Sequence, residues 1–170
     1  MVFVLCLVGA FVPVEAMVIP MYSIAKGLGL MSTYQGIFLP FAFSPFAIYL
    51  MRQSFRSLPM ATFESAQLDG AGQWKSFWHV GLPGVRPALA SLILIQFIGS
   101  WSNYFWPLVA MQDPRRQVAQ VAVAGYADNA NTPLYGEIFA ASVLLTVPLV
   151  VLALALQKHY VAGLASSGLK

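Results

Sequence analysis

Four long apolar segments, separated by more polar linkers, limit most strongly what this chain can fold into. They run from about Met1 to Tyr22, Gly36 to Met51, Ala88 to Met111 and Ile138 to Leu156. A helix needs roughly 20 apolar residues to cross the hydrocarbon core of a bilayer. Only 9% of the 170 residues are charged, whereas a soluble domain carries roughly 25% because its surface faces water. The sequence therefore predicts an all-α, polytopic transmembrane helical bundle of about four spans, with residues 1–170 as a single transmembrane domain.

Prolines and linkers refine this prediction. Pro40, Pro45 and Pro148 lie inside apolar segments, and membrane helices tolerate proline where neighbouring groups satisfy the freed carbonyls. We therefore expect kinked helices. The linker from Gln112 to Tyr135 is predicted to be a surface loop. No basic residue precedes the first apolar run, which argues against a cleaved secretory signal.

The distribution of basic residues predicts the orientation in the membrane. Six lysines and arginines fall in the 52–87 linker and in the tail after residue 157, which lie on the same side, and three fall on the other side. Short cytoplasmic loops carry an excess of Lys and Arg. The 52–87 linker and both termini are therefore predicted to be cytoplasmic.

The polar region 52–87 reads as two short amphipathic helices joined by a tight turn. Ser57 or Leu58 is predicted to cap the first helix, with Pro59 in its first turn. Gly70 and Gly72 are predicted to interrupt it. Such a helix pair suits the membrane interface, with its apolar face towards lipid.

The second helical stretch of this region is predicted from its aromatic residues. Trp74, Phe77 and Trp78 share one face at helical spacing. Leu82-Pro83 is predicted to end this helix, and Pro87 to open the next apolar segment.

The same region resembles the EAA motif of ABC-transporter permease subunits. That motif has E-A-A, three further residues, G and later L-P, and the chain has Glu64-Ser65-Ala66, Gly70 and Leu82-Pro83 at matching spacing. Asp69-Gly70-Ala71 supplies the D-G-A of the carbohydrate-importer branch, and Ser65 replaces the usual alanine. Residues 18–22 and 101–108 are similar to the I-P-L-Y and W-N-x-F-x-W-P-L segments of that branch. The resemblance therefore covers nearly the whole chain.

The resemblance implies a permease subunit of an ATP-driven importer of a sugar or a related polyol or glycerol phosphate, in the bacterial inner membrane. The implied partners are ABC ATPase subunits, a second permease subunit, an extracytoplasmic solute-binding protein and membrane lipid. The 52–87 loop would contain a cytoplasmic coupling helix that docks on the ATPase. The residues implied in coupling are Glu64, Ser65, Ala66, Asp69, Gly70, Ala71, Leu82 and Pro83. Subunits of this family usually have about six helices, so the chain is expected to be a partial domain without the amino-terminal two.

Four residues are candidates for the solute path. Glu15 is a carboxylate among apolar residues, and an intramembrane carboxylate is a candidate for a pathway or gating role. Its alternative role, which the sequence favours, is that of a structural group or one hydrated near the outer membrane face. Trp101, Asn103 and Tyr104 offer the aromatic faces and amide that suit sugar rings. Their alternative role is an interfacial aromatic belt with a helix-packing amide. The family often has an acidic residue where Tyr104 stands.

No catalytic or metal-ligating pattern is found in the sequence. His79 and His159 are isolated and lack metal-ligand spacing, and there is no glycine-rich phosphate loop followed by Lys-Ser or Lys-Thr. The sequence therefore predicts no enzyme activity and no cofactor, with ATP hydrolysis in a partner subunit. No basic run indicates nucleic acid. Two alternatives stay open: a fragment of a secondary transporter, and a non-transporting membrane anchor or assembly protein.

Overall fold

The computed structural model describes residues 12–127 and 135–167, and every regular element within these ranges is helical. The all-α prediction is confirmed. The α-helices in chain order are α1 (Val14–Gly27), α2 (Tyr34–Phe38), α3 (Pro45–Arg56), α4 (Met60–Leu68), α5 (Gln73–Gly84), α6 (Arg86–Trp101), α7 (Phe105–Ala110), α8 (Ala119–Ala127) and α9 (Tyr135–Ser167). Short 3₁₀ turns occupy Leu39–Phe41 and Pro114–Arg116.

Helix α9 contains the clearest candidate for a membrane crossing. In the described part of the chain, Tyr135–Gln157 is the one stretch that is long and apolar enough as a single helix. Two bent pairs also qualify when each pair is taken as one span: Tyr34–Phe41 with Pro45–Arg56, and Gln73–Gly84 with Arg86–Trp101. These residues therefore hold one to three crossings. The expected count of about four included the first apolar segment, of which residues 1–11 lie outside the described ranges.

The third apolar segment, from about Ala88 to Met111, is divided between two helices in the structure. Helix α6 ends at Trp101 and α7 begins at Phe105. Pro107 explains the break, because a proline at this place would clash with the carbonyl of Asn103 in a continuous helix and cannot donate to it. The Trp101 carbonyl, which has lost its helical donor, accepts a hydrogen bond of 3.1 Å from the Nε2 of Gln120.

The linker from Gln112 to Tyr135 is only partly the predicted surface loop. Residues 119–127 form helix α8, and residues 128–134 lie outside the described ranges. Alanine is the strongest helix former, and α8 contains alanine at every second or third position. That composition favours a helix where proline and charge at positions 113–116 had indicated a loop.

The described residues fall into two compact units. Of the described residues, one unit contains 12–44, 97–127 and 135–151, and the other contains 45–96 and 152–167. The core of the first unit is formed by Ala25, Trp106 and Ala110, which come from α1 and α7. Trp106 is fully buried, and its indole N–H donates to the carbonyl of Gly36 over 2.9 Å. This bond ties α2 to α7 inside the first unit.

Gly36 makes that close packing possible. A Cβ at this position would overlap the backbone carbonyl oxygen of Leu30. Helix α2 therefore lies against the turn after α1 at a distance that only glycine permits. Thr33 caps the same helix, since its hydroxyl oxygen accepts from the Gly36 N–H at 3.1 Å.

Candidate functional site

The second unit contains the polar region 52–87, in which α3, α4 and α5 pack through aromatic rings. Phe55 of α3 stacks on Phe77 of α5 with ring centroids 5.9 Å apart. Gly81 of α5 faces both Phe55 and Phe63, and a Cβ there would lie 3.2 Å from the first ring and 3.7 Å from the second. The absence of a side chain at Gly81 thus brings α5 close to α3 and α4. The three helices form one packed body.

Helix α4 begins one or two residues later than the sequence indicated. Pro59 is extended, with φ −61° and ψ 127°, and the helix starts at Met60. The Ser57 hydroxyl donates to the Ser54 carbonyl at 2.8 Å, so it does not cap α4. The predicted cap at Ser57 or Leu58 is therefore wrong. A proline disfavours helical geometry at the residue before it, so the helix begins after Pro59 rather than before it.

Helix α4 ends in a Schellman turn centred on Gly70. The Ala71 N–H donates to the Ala66 carbonyl at 2.9 Å, and the Gly70 N–H donates to the Gln67 carbonyl at 3.0 Å. Gly70 has φ +77°, in the left-handed region that glycine adopts without strain. The predicted interruption at Gly70 is confirmed, and its cause is this backbone geometry.

The apolar residues of α4 do not lie on one face. Phe63 is half-buried against α5, whereas Met60 is 72% exposed and Leu68 is 90% exposed. The prediction of an amphipathic first helix is therefore wrong in this respect. Leu68 lies beside the turn and presents a large apolar side chain at its surface. A helix end with this character offers both apolar and acidic groups to a partner.

The exposed surface of the turn carries two carboxylates. The side chains of Glu64 and Asp69 are exposed and make no hydrogen bond or ion pair with any other described residue. Ser65 lies between them in sequence, and its hydroxyl donates to the Thr62 carbonyl at 3.0 Å. The chain itself thus leaves these two negative charges available to an external basic group.

The structure brings six of the eight predicted coupling residues together in this turn and places the other two elsewhere. Residues 64–66 and 69–71 form the end of α4 and the Schellman turn. Leu82 and Pro83 are half-buried in α5, where they follow a single π-helical turn at Phe77–Gly81. The exposed turn is therefore accessible to a partner protein, whereas Leu82 and Pro83 pack inside the region near the end of α5.

The π-helical turn has a structural explanation in Pro83. A proline inside a helix clashes with the carbonyl four residues earlier, and a widened turn gives that carbonyl room. The chain then bends by 70° between Gln73–Gly84 and Arg86–Trp101. The predicted end of this helix at Leu82-Pro83 is nearly right, because α5 continues only to Gly84.

Sequence reasoning missed three residues that hold this region together. Gly84 lies under Leu58, whose Cδ2 would be 2.8 Å from a Cβ at that position. Ser76 is buried, and its hydroxyl faces the Ala71 carbonyl at 3.5 Å. Gly81 has the aromatic contacts described above. The spacing of Gly81, Pro83 and Gly84 was a visible signal of a tightly packed helix end.

The solute-path candidates occupy two places in the first unit. Glu15 lies in the first turn of α1 and is exposed. Trp101, Asn103 and Tyr104 lie where α6 gives way to α7. The Trp101 indole N–H donates to the Leu145 carbonyl at 2.9 Å, and its ring stacks on Phe97 with centroids 5.5 Å apart. Trp101 therefore has a packing role. Asn103 is half-buried and Tyr104 is exposed.

Within the described residues, no group of three or more His, Cys, Asp or Glu side chains could hold a metal ion. His79 Nδ1 lies 3.0 Å from the Lys75 carbonyl oxygen of its own helix. The side chain of His159 lies outside the described part of the structure.

Nearly the whole chain is similar in sequence to proteins that are already known. A sequence model of the family described as "Binding-protein-dependent transport system inner membrane component" matches residues 1–166. The arabinooligosaccharides transport system permease protein AraQ of Bacillus subtilis (strain 168) is 31% identical over 99% of this chain and 60% of its own length. The sn-glycerol-3-phosphate transport system permease protein UgpE of Yersinia pestis is 34% identical over 91% of this chain and 56% of its own.

A solved structure shares the fold. A chain of a bacterial ABC transporter involved in the import of the acidic polysaccharide alginate matches with a TM-score of 0.71 and 28% identity. The match covers 84% of this chain and 55% of that one. This chain thus spans about 55–60% of the length of the known proteins that it matches.

Proposed function

This chain belongs to the family of binding-protein-dependent transport system inner membrane components, and we propose that it acts as a permease subunit of an ATP-driven importer. In this proposal the chain carries no ATP site. It works with ABC ATPase subunits, a second permease subunit and an extracytoplasmic solute-binding protein in a bacterial inner membrane. The 52–87 region faces the cytoplasm and couples ATPase motion to the membrane helices.

The observation that supports coupling most directly is the exposed turn at residues 64–71. Its two carboxylates lack partners within the described chain, and a carboxylate forms strong, directional hydrogen bonds with a basic group of a partner. The turn has a fixed shape, because two backbone hydrogen bonds close it around Gly70. A defined, charged projection of this kind suits insertion into a basic cleft.

The packing of the region supports the transmission of force. Gly81 brings α5 against the rings of Phe55 and Phe63, and Gly84 lies under Leu58. Close-packed groups transmit a displacement because they have little free volume. A push on the turn after α4 would therefore move α5, and through the bend at residues 84–86 it would move α6. The π-helical turn at Phe77–Gly81 lies on this route from α4 to α6.

The proposed solute is a sugar or a related polyol or glycerol phosphate. This rests on the names of the two relatives described above, which specify arabinooligosaccharides and sn-glycerol-3-phosphate. Among the path candidates, the side chains of Glu15, Asn103 and Tyr104 make no hydrogen bond to a described residue, whereas the Trp101 indole N–H is already bonded. We expect Asn103→Ala to impair uptake by weakening solute contact, and its effect should differ between solutes of different shape.

The function is tested by uptake of radiolabelled sugars and glycerol phosphate into vesicles that contain the chain with its ATPase, second permease and binding protein. Uptake that requires ATP and survives a protonophore supports the proposal. Uptake that collapses with the proton gradient yet survives ATP depletion supports a secondary transporter instead. An intact assembly in which a bulky substitution at Gly70 leaves uptake unchanged supports a non-transporting anchor.

A further inference from the structure

The four tryptophans of this chain fall into two pairs with opposite surroundings. The indole N–H groups of Trp101 and Trp106 donate to the carbonyls of Leu145 and Gly36. Trp74 and Trp78 have no hydrogen bond to any described residue and are 78% and 58% exposed. The second pair therefore offers apolar rings and free N–H donors to something outside the described chain.

Trp74 and Trp78 form a continuous aromatic ridge on α5. Phe77 contacts both, with ring centroids 6.5 Å from Trp74 and 5.5 Å from Trp78, each edge to face. The two tryptophans are four residues apart and so share one side of the helix. Indole rings with an apolar body and a free N–H prefer the headgroup zone of a bilayer. The ridge has the chemistry of an interfacial anchor.

Basic charge accompanies this ridge. Lys75 lies between the two tryptophans in sequence, is exposed, and has no ion pair among the described residues. Arg86, just beyond α5, is likewise exposed and unpaired within the described chain. The two acidic residues of this region, Glu64 and Asp69, lie on α4 and its turn rather than on α5. The charge of α5 is thus complementary to an anionic surface.

The ridge is also continuous with a segment suited to the bilayer. Gln73–Gly84 and Arg86–Trp101 together meet the length and composition of a membrane span. A lipid headgroup is therefore within reach of α5 if α6 enters the bilayer. A protein partner for the ridge is disfavoured because that partner's surface would need to match both two tryptophan rings and a lysine ammonium at the edge of the membrane.

We propose that Trp74, Lys75 and Trp78 dock on an anionic phospholipid headgroup and set the depth of the 52–87 region at the membrane surface. The indole rings lie among the glycerol and upper acyl groups, and the Lys75 ammonium pairs with the lipid phosphate. This contact is separate from the acidic turn at residues 64–71, which stays available to a protein partner. It rests on membrane location and does not require that the chain transports a particular solute.

The test uses the full chain in vesicles of phosphatidylcholine with phosphatidylglycerol, in which either lipid carries brominated acyl chains that quench tryptophan. The signal of Trp74 and Trp78 is the difference between the wild-type chain and the Trp74→Phe/Trp78→Phe variant, because phenylalanine keeps the contact with Phe77. We expect this signal to be quenched more by brominated phosphatidylglycerol than by brominated phosphatidylcholine. One lysine near a membrane surface is worth roughly a fivefold preference for anionic lipid.

Lys75→Gln should reduce that preference by about fivefold. Arg115→Gln is the matched control, since Arg115 is an exposed basic residue of the first unit whose side chain has no bond to a described residue, and it should leave the preference unchanged. Equal quenching by both lipids in the wild-type chain would overturn the proposal. An unquenched signal would also overturn it, because the ridge would then be exposed to water. Quenching that disappears once the ATPase subunit is added would overturn it as well, because the ridge would then contact protein. If the double tryptophan substitution prevents folding, the quenching of the total tryptophan fluorescence is compared between the Lys75→Gln and Arg115→Gln variants. A preference for anionic lipid that Lys75→Gln leaves unchanged would then overturn the proposal.

Discussion

A glycine at position 70 can be required for its backbone conformation or for the close approach of the ATPase. Substitution at Gly70 separates these two requirements. Gly70 has φ +77°, and a Cβ built there would meet nothing within 4 Å. The cost in the isolated chain is therefore conformational only, about 1–2 kcal/mol for an L-residue such as alanine in the left-handed region. Asparagine adopts this region more readily and should cost less than alanine.

The effects of these two substitutions on uptake by the assembled transporter should not follow their effects on stability. If the ATPase approaches the turn closely, added volume matters there, and Gly70→Asn should abolish uptake at least as fully as Gly70→Ala. We would measure thermal unfolding of the purified chain in detergent and ATP-driven uptake by the assembly, with the membrane level of each variant as control. A Gly70→Asn variant that transports like the wild type, beside a Gly70→Ala variant that fails, would refute close approach. Full uptake by both variants would refute coupling through this turn.

Three further predictions concern charge and packing. Glu64→Gln should leave the free energy of unfolding within about 0.5 kcal/mol, as for other exposed positions, yet lower uptake and ATPase stimulation; normal uptake would contradict the assigned role. Gly36→Ala should destabilise the chain by about 3 kcal/mol, the upper range for overpacking, because its Cβ would overlap the Leu30 carbonyl; an unchanged melting temperature would contradict it. Trp106→Phe should lower the free energy of unfolding by about 2–4 kcal/mol through a lost buried hydrogen bond and a cavity. Trp101→Phe should lower it by less, because Trp101 is only half-buried. Equal destabilisation by the two substitutions would contradict this role of burial.

The helical class and the turn at Gly70 could be predicted from the sequence because local chemistry determines both. Long apolar runs with few charges require helices in lipid, and a glycine after an apolar helical pattern is the usual C-terminal signal. The aromatic grouping of Trp74, Phe77 and Trp78 followed from helical spacing and is confirmed by their ring contacts. In each case the decisive interactions lie within a few residues of one another.

The errors arose where distant contacts or proline geometry decide the outcome. The break at residues 102–104 depends on Pro107 and on a hydrogen bond from Gln120, which lies 19 positions away in sequence. The role of Gly36 depends on Leu30 and on Trp106, 70 positions away. No local pattern specifies such partners, so hydropathy alone did not locate the break in the third apolar segment.

The predicted coupling residues fall into two groups in the structure, and the sequence pattern alone did not distinguish them. Motif spacing linked Glu64–Ala71 with Leu82-Pro83 as one set, whereas the structure gives the first group an exposed turn and the second a packed helix end. Spacing in sequence shows that residues occur together, and it does not show whether they act through contact with a partner or through packing. The two groups therefore require different tests.

The central claim, that the turn at residues 64–71 receives motion from an ATPase, is tested most directly by crosslinking. A photocrosslinking amino acid would be placed at position 64 or 69 in the assembled transporter, with position 115 of the first unit as the control. We predict that positions 64 and 69 capture the ATPase subunit in a yield that changes when ATP is bound, and that position 115 does not capture it. Failure of both positions to capture the ATPase, in an assembly shown to be intact, would contradict the account.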